Sequence, residues 1–352
     1  MFLYTVYPNL LFYIHFTTNF VGAILYIMKR GEGILNCGLF APKYYGEFAC
    51  MKGECRHSCC IGWEIDIDDL TMKKYSAVGG EIGERIRNSI STPDLVCEGA
   101  LANNECDATP HFVHTCGGRC PHLDESGLCR IILGLGEDYL SDICRLHPRF
   151  FNETARGTEV GLGMSCEEAA RIILSSDGYA EFISVGGAEC SGCDFDVFPY
   201  RAEVYSILSD RKIRYAERLK MIGEKFSVSP SVLTDSEWVE VLSSLEYLDA
   251  LSCERFACYS SDISESIWEC ELERALAYFV YRHSSDAKNY AEFRTGLGFA
   301  MFCERLLSSV AKAEGVGNFA DFTDLARVIS EEIEYSADNT DILRSEIEFA
   351  MQ

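Results

Sequence analysis

The sequence predicts a mainly α-helical protein with small β elements: a cysteine-rich, metal-binding α+β domain followed by a helical domain. Three observations carry that prediction. Cysteine recurs in every segment from Tyr44 to about Arg171, punctuated by glycine and proline. Beyond Asp194, apolar residues fall at helical spacing with no convincing strand among them. The chain of 352 residues is also long enough to give two domains cores of their own. A boundary near residue 195 then yields a leader over 1–27, a cysteine-rich domain over 36–194 and a helical domain over 195–352.

The formal net charge of −24 argues against a nucleic-acid partner, because phosphates would repel it. Solubility accounts for such a charge, and attraction of a lysine-bearing substrate is the sharper reading. Eighteen cysteines in so long and helix-patterned a chain fit reduced metal thiolates in the cytoplasm better than a disulfide scaffold. Such scaffolds belong to small secreted domains.

Met1 to Ile27 contain no Asp, Glu, Lys or Arg, and Met28-Lys29-Arg30 follows. Their length would serve a membrane helix, with Lys29 and Arg30 holding the rest in the cytoplasm. A cleaved signal peptide would need a basic region before the apolar run, which is lacking. Translation starting at Met28 would make the stretch a gene-model artefact. Asn9, His15, Thr17, Thr18 and Asn19 interrupt the hydrophobicity. They favour the artefact, or a loosely attached segment, over an anchor, so no membrane partner is expected.

The thiols begin with Cys50, Cys55, Cys59 and Cys60, four sulfurs within eleven residues. Side chains on adjacent residues face differently on a helix or a strand, so Cys59 and Cys60 serve different partners. The spacing C-x4-C-x3-CC departs from the paired C-x2-C of common zinc ribbons. Close thiolates repel unless a cation neutralises them, and soft sulfur selects zinc or an iron–sulfur cluster. Trp63 to Asp69 alternates apolar and acidic residues, which predicts a short strand, with a helix starting at Asp69. Residues 92 to 119 hold Pro93 and Pro110 and predict a loop or a two-stranded excursion.

A second thiol group follows: Cys116, Cys120, Cys129, Cys144 and Cys166. Leu123 to Cys129 predicts a tight hairpin with Gly127 at its turn, which folds flanking cysteines toward one point. Leu133 to Asp138 superficially has the look of a nucleotide-binding glycine loop, but no parallel-strand signal precedes it and a helix-entry turn is expected. Gly136 to Ile143 predicts a helix ended at Cys144, since Pro148 forbids easy continuation. Arg145 and Arg149 straddle that proline. Their guanidinium groups suit a carboxylate, either that of an amino-acid-like cofactor or a local acid. Glu167 to Ser175 reads as a helix with an acidic first turn. The pair Cys190 and Cys193 lacks βαβ context and is read as incidental. Cys37, Cys97, Cys106, Cys253, Cys258, Cys270 and Cys303 are small hydrophobes or unassigned.

Helices are then expected over Phe198–Met221, Ser236–Leu251, Ser264–Tyr281, Glu292–Ala313 and Ala320–Tyr335, with no regular repeat. The acidic stretch around Ser330 to Glu348 is read as a solvated face.

Four motifs in order resemble the flagellin lysine-N-methylase family. They are Phe48-x-Cys50 with Cys55-x3-Cys59-Cys60-x-Gly-Trp63, Cys120-Pro-x-Leu-x3-Gly-x-Cys129, Leu140-x3-Cys144-Arg-x-x-Pro-Arg149, and Ser165-Cys166 before a Glu-Ala-Ala helix. Leu272 to Arg282 also looks like the family's helical half, so the resemblance covers roughly residues 44 to 310. That family sits within a wider cysteine-rich, metal-chelating group sharing the double-cysteine motif. One departure is Glu167, where the family pattern has proline after the late Ser-Cys. The resemblance implies methyl transfer from S-adenosylmethionine to lysine side chains of flagellin, with an iron–sulfur cluster, of four-iron type, or zinc. It places Cys50, Cys55, Cys59, Cys60, Cys120, Cys129, Cys144 and Cys166 as metal-ligand candidates. Arg145, Arg149 and Trp63 are the candidates for contact with S-adenosylmethionine. A single zinc ion or four-iron cluster takes four ligands, so either half of the thiols are support or there are two metals. Lysine attacks only as the free amine, so something must accept its proton. Tyr44, Tyr45, His57, Asp66 and Asp68 are the candidates near the thiols. The alternative is a non-catalytic metal-binding or electron-transfer module.

Overall fold

Four short strands drawn from distant parts of the chain make one mixed sheet, and helices account for most of the rest. The computed structural model describes residues 38–91, 109–186, 194–228, 233–262 and 266–351. The leader, Cys37, Cys97, Cys106, Cys190 and Cys193 lie outside the described residues.

β1 (Leu39–Pro42) runs into a 3-10 turn, Lys43–Glu47, that buries Tyr44 and Tyr45. Asp68 caps α1 (Asp69–Ala77), its carboxylate accepting from the Thr71 amide at 3.1 Å. The alternation before it does sort the faces, because Ile65 and Ile67 are buried while Glu64 and Asp66 are exposed. The expected strand shrinks, however, to a single bridge between Asp66 and His111. The Asp68 cap commits the next residues to helix and stops the ladder there. α2 (Gly80–Asn88) leads to β2 (Ile90–Ser91), which pairs antiparallel with β3 (His111–Phe112).

α3 (Arg130–Leu135) and α4 (Asp142–Leu146) replace the helix expected over Gly136–Ile143. Gly136 adopts φ +92°, which closes α3 and is followed by a 3-10 turn, Glu137–Tyr139, and not by an α-helix. α4 starts only at Asp142, whose amide donates to Asp68 at 3.0 Å. Cys144 therefore sits inside α4 and not at a helix end. β4 (Arg149–Thr154) and β5 (Gly157–Leu162) form an antiparallel hairpin. α5 (Glu167–Ser175) matches its predicted bounds. β6 (Phe182–Gly186) completes the sheet in the order β4-β5-β1-β6, with β1 parallel to β5 and antiparallel to β6.

The remaining helices are α6 (Phe198–Leu208), α7 (Tyr215–Phe226), α8 (Asp235–Ser243), α9 (Leu251–Phe256), α10 (Glu269–Ser284), α11 (Tyr290–Ala313), α12 (Phe319–Ile329) and α13 (Ala337–Ala350). A π-helical segment, Ser330–Glu334, follows α12. The single helix expected over Phe198–Met221 breaks after Leu208. Arg218 reaches back from α7 to donate to the Leu208 carbonyl and satisfies that helix end. Residues 236–251 divide likewise, α8 ending at Ser243. Among the described residues no helix is long and apolar enough to cross a membrane.

Two hydrophobic cores result. The larger joins β1, β5 and α5 to the C-terminal helices, with Trp238, Phe279, Phe299 and Phe302 fully enclosed. The smaller gathers Ile65, Ile67, Tyr75, Ile86, Phe112, Leu123 and Ile131 beneath the second group of thiols.

The acidic stretch from Ser330 is not wholly a solvated face. Glu332 and Glu334 are buried, because the π segment turns both inward. Glu332 accepts from the Leu248 and Asp249 amides at 2.7 and 3.0 Å and from the Ser252 hydroxyl at 2.9 Å. Glu334 accepts from Tyr278 at 3.1 Å, meets His283 at 2.6 Å and pairs with Arg282 at 3.3 Å. Glu334→Ala would strand a buried arginine. The expected loss is about 3–5 kcal/mol of unfolding free energy, read from the denaturant midpoint.

Candidate functional site

The first thiols stand on an irregular loop that two contacts fix. Cys50 and Cys55 flank a 3-10 turn, Lys52–Glu54, and the Lys52 amide donates to Cys50 Sγ at 3.3 Å. Gly53 lets this turn lie on the Leu123–Cys129 hairpin, since a Cβ there would stand 2.6 Å from the Ser126 carbonyl oxygen. Arg56 then ties the loop to the start of α5. Its amide and its Nε each donate to the Glu167 carboxylate at 2.9 Å. Glu167, the residue that departs from the family pattern, is thus the anchor that draws the loop to Cys166, the N-cap of α5.

Cys50, Cys55, Cys59 and Cys166 gather there. Burial pushes the Cys55 thiol up to about 12, and Cys50 and Cys166 add to it. Burial likewise lifts Cys166 to about 11, with Cys50 a smaller contributor.

Cys60 turns to a different set. The Cys120 amide donates to the Cys60 carbonyl at 2.8 Å, and Ile61 bridges Arg119. The predicted hairpin forms, with Leu123 opposite Cys129 and Gly127 at φ +78°. Asp124 holds its turn by accepting from the Ser126 and Leu128 amides, both at 2.9 Å. α4 supplies Cys144. Burial raises that thiol to about 12, with Cys60, Cys120 and Cys129 adding to it. Burial also lifts Cys120 to about 12, helped by Cys60 and Cys129. Where the two sets touch, the Cys59 thiol donates to Cys60 and, with Ser58, draws Cys60 down to about 7 against burial. Cys60, Cys120, Cys129 and Cys144 thus lie in or against the smaller core, and Cys166 packs against the larger. Among the described residues, no three His, Cys, Asp or Glu side chains are arranged to hold a metal ion as they stand, so ligation requires thiols to rotate inward.

The other candidates are dispersed. Tyr44 and Tyr45 are core residues, and burial raises both hydroxyls. His57 is exposed, 3.2 Å from Asp324 on α12. Asp66 lies at the exposed bridge to His111, and Asp68 is spent as a cap and as the acceptor for Asp142. Arg145 pairs with Asp142 inside α4. Arg149 donates from Nε to the Tyr45 hydroxyl at 3.0 Å and lies 5.4 Å from the Phe48 ring. Cys303 is buried in the larger core, as expected of a small hydrophobe, whereas Cys270 and Cys116 are exposed. A cleft of about 440 Å³ lined by Arg156, Phe182, Phe198 and Tyr205 among others holds none of the candidates.

A polar seam beside the thiol-bearing segments escaped the sequence reading. Trp63 packs edge-on to Tyr335 at 5.2 Å, and Arg282 lies 4.4 Å over the Tyr335 ring. Gly163 admits this contact, because a Cβ there would sit 2.0 Å from the Tyr335 hydroxyl. The one sequence signal is the i,i+4 pair Tyr278 and Arg282 within α10, bonded at 3.0 Å. His147 stands at the same seam, its ring 6.4 Å from that of Tyr335 and its Nε2 enclosed without a hydrogen-bond partner. Enclosure, then Arg149 and Arg282, press its pKa down to about 4. A histidine depressed in the fold stays neutral there while the unfolded chain takes up protons, so its contribution holds above about pH 6.5 and is lost toward pH 4. His147→Gln should therefore flatten the acid limb of the stability profile, by on the order of 2 kcal/mol at pH 4. Urea unfolding across pH 4–8 measures this.

No family model matches the chain, and no solved structure matches it. Over 134 residues, 38% of the chain, it is 30% identical to the lysine-N-methylase of Salmonella typhimurium, and equally to that of Salmonella choleraesuis. The match spans 32% of each of those proteins, about a third of their length. It is 29% identical to the flagellar biosynthetic protein FliU of Salmonella muenchen, over 75% of that protein.

Proposed function

We infer that the chain shares its chemistry with the flagellin lysine-N-methylase family, which it resembles in its cysteine motifs and in its similarity to these relatives. We propose that it transfers methyl groups from S-adenosylmethionine to lysine side chains of flagellin, with metal held by thiols between Cys50 and Cys166. The observation that carries the reading is the gathering of eight motif thiols from four separate segments, in a chain similar to named lysine-N-methylases. Thiols crowded and raised by burial are a poor apolar core but a suitable donor set for a soft metal once deprotonated. Iron–sulfur is preferred to zinc. The reading requires a compartment where thiols stay reduced, the cytoplasm.

S-adenosylmethionine supplies an activated methyl group when bound. The chain's own residues must hold its carboxylate, exclude water and leave the lysine as free amine. The two arginines differ in what they offer. Arg145 is already paired with Asp142. Arg149 meets no carboxylate among the described residues, and it donates instead to the neutral Tyr45 hydroxyl. Arg149 is therefore the better carboxylate anchor, and Trp63 at the seam offers a flat apolar face. For the proton of the lysine, Asp68 and the two tyrosines are poor acceptors as placed. His57 and Asp66 are the exposed candidates, and His147 is an enclosed neutral imidazole.

Protein purified anaerobically is expected to carry iron with acid-labile sulfide, or zinc. Incubated with S-adenosylmethionine and flagellin, it should add methyl-sized mass increments to lysine-containing flagellin peptides. Intact metal with no increment on native flagellin would leave a non-catalytic metal-binding or electron-transfer module. Arg149→Ala should weaken cofactor binding by about 2 kcal/mol, roughly thirtyfold, with metal content unchanged. Arg145→Ala should weaken it less. Calorimetric titration of both variants beside metal analysis reads the two effects separately.

A further inference from the structure

We propose that Cys60, Cys120, Cys129 and Cys144 form a second metal centre, separate from that of Cys50, Cys55, Cys59 and Cys166, so that one chain carries two soft-metal sites. This rests on the reading that the motif thiols bind metal, and it adds their division and their number. A mononuclear zinc site or a four-iron cluster takes four thiolates. Eight thiols in two sets of four match two such sites without remainder.

Three independent features separate the sets. The first is packing: Cys60, Cys120, Cys129 and Cys144 all lie in or against the smaller core, whereas Cys166 packs on the larger one. The second is the scaffold. One set is held by the Cys120-to-Cys60 backbone bond at 2.8 Å, the Leu123–Cys129 bridge and the Asp142-to-Asp68 bond at 3.0 Å. The other is held by Arg56 on Glu167.

The third feature points to a ligand. Tyr75 is 1% exposed, and its hydroxyl has no hydrogen-bond partner among the described residues. It packs in the smaller core, with Cys120 in that core and Cys60, Cys129 and Cys144 against it. An unsatisfied buried hydroxyl is costly, and a metal-bound thiolate is an acceptor that would satisfy it. Such outer donors fix and tune thiolate ligands. Tyr75 is accordingly a positioning residue for the second centre.

The test uses the full chain purified anaerobically. Iron, zinc and acid-labile sulfide are measured per folded chain in wild type, Cys60→Ser/Cys129→Ser, Cys55→Ser/Cys166→Ser and Tyr75→Phe. Two centres per wild-type chain are expected, with each double variant losing one and keeping the other. Sulfide in proportion to iron identifies clusters, and zinc without sulfide identifies single ions. Tyr75→Phe should keep both centres while shifting the absorption or potential of an iron centre, or speeding zinc loss to a chelator. One centre per wild-type chain overturns the proposal while leaving metal binding intact, and this measurement holds even if a variant fails to fold. Loss of all metal from both folded double variants overturns it in favour of one shared centre. Metal-free wild type sinks the metal reading and this division together.

Discussion

Two adjacent cysteines at the meeting of two cores set the geometry on which the rest of the thiol region depends. Successive side chains diverge from a common backbone, so Cys60 packs against the smaller core while Cys59 stays exposed, its thiol still donating to Cys60. Everything nearby serves that split: Arg56 on Glu167 draws one side toward α5, and the Cys60–Cys120 backbone bond holds the other against the hairpin and α4. Gly53 permits both, because any side chain there would push the loop off the hairpin. The position where the family pattern has proline carries the anchoring glutamate. A proline at the first helical position would suit α5 equally well as a helix start but could not hold the loop.

The helical half solves a different problem. It buries charged groups, which is tolerable only when each is matched and hydrogen-bonded. Arg201 donates to Glu159 at 2.6 Å, linking α6 to β5. Arg218 donates to Glu273 at 2.6 Å, and the Tyr179 hydroxyl donates to the same carboxylate at 2.9 Å. Glu334 reaches its partners because the π segment shifts the helical register, a device that recurs at functional sites. These pairs tie the sheet to α6, α7 and α10, so that β5 and α5 share a core with helices far along the chain. The seam of Trp63, His147, Arg282 and Tyr335 is where that polar interior faces the thiol-bearing segments.

Local patterns were legible where the cause is local. The bounds of α5 followed from an acidic first turn on an apolar periodicity, and the Leu123–Cys129 hairpin from glycine at its turn. The faces of Ile65 and Ile67 followed from alternation. Legibility failed where a distant partner intervened. The helix expected to end at Cys144 was displaced by Gly136 and by the bond from Asp142 to Asp68. The acidic stretch around Glu332 and Glu334 looked solvated because nothing in its own composition announces His283, Arg282 or the Leu248 amide. Tyr44 and Tyr45 looked available for chemistry, yet the first turn after β1 seats them in the core.

By itself, then, the sequence determined that this is a thiol-rich, mainly helical protein and which eight cysteines stand in motif positions. Those are properties of composition and spacing. Only the tertiary structure decided that Cys60 packs in or against one core with Cys120, Cys129 and Cys144. It also decided that, among the described residues, Arg149 and not Arg145 lacks a carboxylate and the Tyr75 hydroxyl has no hydrogen-bond partner. The physical reason is the same in each case. A side chain's neighbours across a hundred residues are fixed by how two cores pack, and no local pattern carries that information.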